Sequence, residues 1–202
     1  AFILGKNRLI KIPLFPLNII VLPYEEVPLH IFEPRYKKMI KTSIKEESPF
    51  GIVLDNSGNI DNLGCSLYVT KIIKEYNSGE YDLIATGNKR FKILDKEKQD
   101  DLWIGKIKYI NEKKINNQEI IKKVQNRYLE LLMKLGKNKN FENYIKIETS
   151  YEFLKGISLP IEFKKDMLSI DSELERLIYV NNLFKKVLSQ SIENNNKNFP
   201  KA

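Results

Sequence analysis

His30 and Cys65 are the only histidine and the only cysteine in this 202-residue chain, so imidazole or thiolate chemistry would have to use one or the other. Their spacing matches no zinc pattern, and a metal site would otherwise fall to carboxylates. A cysteine and a histidine can act as nucleophile and base when brought together in space. Here the thiol stands between Gly64 and Ser66, the surroundings of a small strand residue, and His30 reads as a packed or hydrogen-bonding residue at a strand-to-helix corner. The carboxylate pairs Glu25-Glu26, Glu46-Glu47 and Asp100-Asp101 fall in polar, turn-like contexts and read as solvated loops. Glu33 and Arg35 flank Pro34 at the start of a helix, where an acidic residue favours the helix dipole. Arg90, in the run Gly87-Asn88-Lys89-Arg90-Phe91, follows a glycine suited to a bent strand, and its guanidinium can bridge carbonyls or carboxylates. No nucleophile-base pair or metal constellation emerges, so the expectation is a protein without catalysis, metal or cofactor.

Composition narrows the classes further. A hydrophobic content of 42% over 202 residues is enough for one large core or two small ones without disulfides. A lone cysteine fits a reducing, cytoplasmic setting. There is no apolar run of about 18 residues and no signal-peptide pattern, so no membrane span is expected. The net charge of +8 invites a nucleic-acid reading, but the charge is evenly spread. Residues 1–115 hold 19 Lys or Arg against 15 Asp or Glu, and residues 116–202 hold 15 against 11, with no dense basic arm.

The elements that would position these residues begin with Ile12–Tyr36, which contains five prolines among apolar residues. Each proline removes a donor and fixes φ, so this stretch must be short extended pieces joined by rigid corners, with the prolines at strand ends or edges. Pro34 opens a helix to about Ser43, with Tyr36, Met39 and Ile40 on its apolar face. Phe50–Leu54 reads as a buried strand closed by the turn residues 55–59. Leu67–Tyr76 and Tyr81–Thr86 flank the glycine-containing connection 77–80, and Arg90–Leu94 and Leu102–Tyr109 complete six or so strands. Short strands with an early helix argue for a strongly bent antiparallel sheet closing towards a barrel. Polar residues 111–118 mark a boundary. A helix follows with Ile121, Val124, Tyr128, Leu131, Leu132 and Leu135 at helical spacing and Gly136 as its stop. One or two helices are expected within 140–157, another from Pro160, and a last one capped by Asp171 with the stripe Leu174, Leu177, Ile178, Phe184, Val187 and Leu188.

The ordered blocks PLFPL, VLP, PLHIFEPRY, FGIVL, LGC and TGNKRF resemble the N-terminal substrate-binding domain of the ATP-dependent Lon protease family over roughly the first 110 residues. The later LPIEFKKDMLSIDSELERLIYVNNLFKKVL is similar to the helical part that follows in that family. The chain lacks the G-x-x-x-x-G-K-[ST] phosphate loop of the Lon ATPase module, so the expectation is either a stand-alone, ATP-independent protein of this type or an excised fragment, with the former favoured. The resemblance implies an α+β fold: an N-terminal PUA-like antiparallel β pseudo-barrel with an inserted helix over 1–115 and a C-terminal α-helical bundle over 116–192; the residues of 193–202 themselves read as a disordered tail. It also implies a peptide-binding module whose partner is an unfolded polypeptide or another protein, with a role as a proteolysis adaptor. An exposed strand edge or an apolar cleft between the domains would take an extended segment. Phe15, Leu17, Tyr24, Phe32, Tyr36 and Trp103 are the candidate contact residues. RNA binding by the PUA-like domain is the alternative, and oligomeric state is left open.

Overall fold

The computed structural model of the chain describes residues 9–113, 115–136 and 144–196. The chain divides into two compact units, one taking in residues up to Asn111 with Lys155–Ser169, the other Glu112–Leu154 with the residues from Ile170 onward. The expected single break near residue 115 thus has an addition that no local pattern announced: a helical segment from the second half returns to the β unit.

The β unit holds β1 (Ile10–Leu17), β2 (Glu26–Ile31), α1 (Pro34–Glu46), β3 (Phe50–Asn56), β4 (Asn59–Glu75), β5 (Tyr81–Gln99) and β6 (Leu102–Tyr109). The strand order is β2-β5-β4-β3-β1-β6, and β6 also pairs with β5, so five strands close on themselves and β2 lies outside the ring. The sheet is mixed rather than wholly antiparallel, because β1 and β3 are parallel, from Leu14 opposite Gly51 to Leu17 opposite Leu54. Parallel neighbours need a long crossover, and the chain between them, β2 and α1, supplies it.

β1 lies between two strands, yet it carries Pro13 and Pro16. Its ladder with β6 covers Ile10–Leu14 and its ladder with β3 covers Leu14–Leu17, so only Leu14 has neighbours on both sides. Each proline therefore meets one ladder, and its missing N–H can face away from it. Pro28 sits in β2, an edge strand, where a proline is tolerated.

The alternation along β3 separates two cores. Phe50 and Ile52 join Phe15, Val21, Ile31, Cys65, Leu67, Leu83 and the α1 residues Tyr36, Met39 and Ile40. Val53 joins Ile12, Leu14, Phe91, Ile93 and Ile107 in the second cluster, inside the ring. A five-stranded ring is narrow, and three positions on its inner face are glycine. A Cβ at Gly51 would lie 2.7 Å from Phe91, one at Gly64 2.6 Å from the Ile52 carbonyl oxygen, and one at Gly105 2.8 Å from Leu14.

The helices beyond are α2 (Gln118–Lys134), α3 (Ser150–Phe153), α4 (Ile161–Ser169) and α5 (Glu173–Asn196). In the second unit Tyr128 of α2 lies 5.6 Å from Phe153 and 5.7 Å from Phe184, ring centre to ring centre. The buried stripe of α5 is Leu177, Val180, Phe184 and Leu188, while Leu174, Ile178 and Val187 are exposed, a correction to the expected face. The reason is polar: Glu173 and Arg176 occupy the buried side of the first turn and rotate it. At the helix start, next to the expected cap Asp171, the Ser172 hydroxyl accepts from Glu175 N at 3.4 Å. Leu135 is exposed as well. Of the expected helical region 140–157, residues 140–143 lie outside the described residues, as does the tail from 197; α5 itself runs to Asn196.

α4 belongs to the β unit through identifiable bonds. Arg90 Nη1 donates to the Leu168 carbonyl at 2.7 Å, Lys164 Nζ donates to the Ile20 carbonyl at 3.2 Å and pairs with Glu25, and Lys165 lies 3.4 Å from Asp61.

Candidate polypeptide-contact surface

The six candidate contact residues do not form one surface. Phe15 and Tyr36 are 7% and 6% exposed, with ring centroids 4.1 Å apart in the core beneath α1. Leu17 packs partly buried against the same core, and Trp103 against the inner one. These four hold the fold. Tyr24 and Phe32 are exposed. Tyr24 has φ 66°, and its N–H donates to the Gly87 carbonyl at 2.8 Å. Glycine is required at 87, since a Cβ there would fall 2.2 Å from the Leu22 carbonyl oxygen.

Phe32 is 58% exposed, just past β2, and it has aromatic company. Strand alternation turns Ile31 into the core, so His30 is directed outward, and Phe32 follows where the chain leaves the sheet. The His30 and Phe32 rings stack with centroids 5.7 Å apart, and His30 meets Tyr76 edge-on at 6.3 Å. His30 is opposite Asp82 in the β2–β5 ladder, and its Nδ1 lies 2.7 Å from Asp82 Oδ1. The Tyr76 hydroxyl donates to the other carboxylate oxygen at 2.6 Å, and Lys74 Nζ sits 4.3 Å from the Tyr76 ring centre.

Asp82 thus fixes both rings through one carboxylate. The hydrogen bond from Tyr76, then that from His30, holds its pKa below the ordinary carboxylate value. The same bond pushes the Tyr76 phenol up. His30 and Tyr76 are tethered at an exposed strand end and Phe32 stacks on His30, so two of the three rings have less side-chain freedom left to lose, which lowers the entropic cost of a contact. The expected hydrogen-bonding role of His30 at its corner is present, but the residue is exposed rather than packed. Tyr76, Asp82 and Lys74 were not singled out from sequence. The signal available was the alternation Tyr81-Asp82-Leu83, which sets a carboxylate on the outer face opposite His30.

β4 continues from this surface along a stretch with only one neighbour. Its ladder with β3 ends at Phe50 opposite Leu67, so Tyr68–Glu75 pairs with β5 alone. A groove of about 370 Å3 lies beside it, lined by Ser43, Ile44 and Glu47 at the end of α1 and by residues 68–72. Ile72 and Ile73 are exposed there. Register shifts at Val69/Lys71 and Ile72/Lys74, together with the two lysines, are the devices that keep such an edge from pairing indiscriminately.

The residues with reactive potential are otherwise occupied. Burial drives the Cys65 thiol pKa well up, which removes thiolate character. Glu33 and Arg35 pair at 2.8 Å, and Arg35 also donates to the Asp101 carbonyl at 3.3 Å. Among the described residues, no group of three or more His, Cys, Asp or Glu is placed to hold a metal, and no helix is long and apolar enough to cross a membrane.

A model of the ATP-dependent protease La (LON) substrate-binding domain matches residues 11–186. Two solved structures are similar in fold. A Lon N-terminal domain protein from Xanthomonas campestris superposes with a TM-score of 0.66 at 20% identity, covering 85% of this chain and 96% of that one. The N-terminal domain of a Lon protease from the Mycobacterium avium complex gives a TM-score of 0.70 at 13% identity, covering 87% and 98% respectively.

Proposed function

The chain belongs to the Lon substrate-binding domain family, and from that premise we propose that it is a non-enzymatic module that binds exposed apolar segments of polypeptides. The observation that carries this reading is the ordered ring surface of Phe32, His30 and Tyr76, with the singly paired stretch of β4 leading away from it. Aromatic side chains offer large contact area at low conformational cost, and the unpaired portions of a strand edge offer main-chain hydrogen bonds to an extended chain. Neither needs a reactive group or nucleotide. A protein of this kind suits an adaptor that delivers clients to a protease in a reducing, cytoplasmic setting.

The test is fluorescence anisotropy of a labelled, charge-poor denatured polypeptide against the full chain and Phe32→Ala. Binding that weakens at least several-fold in the variant supports the reading. Absence of binding at tens of micromolar protein overturns it.

A further inference from the structure

The outer face of β5, β6 and β1 carries a second, chemically different surface. Phe91, Ile93, Ile107 and Ile12 point into the ring, so Lys92, Lys106, Lys108 and Lys11, which alternate with them, point out. Lys92 is directly opposite Lys108, and Lys11 directly opposite Lys106. Lys106 and Lys108 share a strand and a face. Like charges set opposite each other across a ladder oppose folding, yet two such pairs stand side by side. Lys11 reaches Glu97 at 2.9 Å; among the described residues Lys92, Lys106 and Lys108 have no ion pair. Asp95 lies opposite Lys106, and its carboxylate accepts from Lys96 N at 2.9 Å. Leu94, in the register shift beside Lys92, is half exposed.

We propose that this face binds acidic segments of polypeptides, carboxylates against the lysine quartet and aliphatic side chains against Leu94. The proposal rests on the polypeptide-binding reading and names a class of client for a separate surface. A nucleic acid fits less well. Its evenly spaced phosphates would have to cross Asp95 and Glu97, and the quartet and the residues interleaved with it on this face include no aromatic ring on which bases could stack. A polypeptide can set carboxylates at the lysines and donors at those two acids.

The test uses the full chain, a fluorescein-labelled unstructured peptide in which Glu alternates with Leu and Ser, its Gln counterpart, and a labelled oligouridylate. The Glu peptide is expected to bind roughly tenfold more tightly than the Gln peptide, and Lys108→Glu to remove most of that difference. Lys108→Glu places a carboxylate opposite Lys92, so its melting temperature should be equal or higher, which separates lost binding from lost folding. Equal affinity for the two peptides, unchanged binding by Lys108→Glu, or lysine-dependent oligouridylate binding at least as tight as that of the Glu peptide would each overturn the proposal. Charge-poor polypeptide that still binds in a Phe32-dependent way while the Glu peptide fails sinks this inference alone; loss of both sinks the parent reading.

Discussion

Arg90 Nη1 donates to the Leu168 carbonyl oxygen at 2.7 Å, joining two buried residues 78 positions apart. The bond ties the last turn of α4 to the outer face of β5, where a side chain that must alternate with Phe91 would otherwise meet solvent. Arg90→Met should leave a carbonyl unsatisfied and destabilise the protein by about 1–3 kcal/mol. Hydrogen exchange should rise first in Lys155–Ser169. Faster exchange confined to α2 and α5 would contradict this role.

Gly64 governs the ring interior. A Cβ there would lie 2.6 Å from the Ile52 carbonyl oxygen and 2.8 Å from Phe91 Cζ. The Ile52 backbone is held in β3 and cannot retreat, so Gly64→Ala should cost about 1–3 kcal/mol by overpacking. A combined Gly64→Ala and Phe91→Leu variant relieves only the ring contact and should remain less stable than Phe91→Leu alone. Denaturant melts of the three proteins measure this. Full recovery in the double variant would assign the constraint to Phe91 instead of the backbone.

Arg176 performs the corresponding task in the second unit. Its buried guanidinium donates to Glu173 Oε2 at 2.7 Å and to the Ile170 carbonyl at 2.6 Å, and pairs with Glu112, while Nε reaches the Ser150 hydroxyl at 3.2 Å. Glu173 also accepts from Ser150 N at 2.6 Å, capping α3 from another helix. Removing the cation leaves a buried carboxylate, so Arg176→Met should cost about 3–5 kcal/mol. Arg176→Lys should rescue little, because one ammonium cannot reproduce the planar fork. Thermal melts followed by helical circular dichroism would reveal the loss, and a fully stable Arg176→Lys would count against a geometric role.

The barrel was legible because its signals are local: prolines fix extended pieces, and strand alternation sorts Ile12, Leu14, Phe91 and Ile107 from the lysines between them. The early helix from Pro34 was legible for the same reason. The parallel β1–β3 pairing was not, since it depends on which strands meet after a crossover. The membership of α4 in the β unit was hidden too, resting on Arg90 and Lys164 contacts over 78 and 139 or more positions. Among the candidate contacts, Phe15 and Tyr36 are aromatic and set in the same apolar stretch as Phe32, and apolar character cannot say which ring is exposed. Only the strand's parity, Ile31 inward and His30 outward, distinguishes them, and that requires knowing where β2 begins.

The Asp82 carboxylate should report the integrity of the aromatic surface through pH. Its pKa lies below the ordinary 3.8, because Tyr76 and His30 hydrogen-bond to its ionised form. Its contribution to stability is therefore present above the ordinary carboxylate range and lost as pH falls through the depressed value. Tyr76 moves the other way: its pKa lies above 10.0 chiefly because ionisation would give up the hydrogen bond that its hydroxyl donates to Asp82, so its contribution is lost only as pH rises through that raised value. Tyr76→Phe removes the largest cause and should raise the Asp82 midpoint towards 3.8, with the His30 bond still lowering it. Asp82→Asn should bring the Tyr76 midpoint down towards 10.0. Carbon-detected NMR titrations of the two side chains measure both shifts. An Asp82 midpoint unmoved by Tyr76→Phe would mean that the hydroxyl does not hold the carboxylate, and that the rings of this surface are free to reorient in solution.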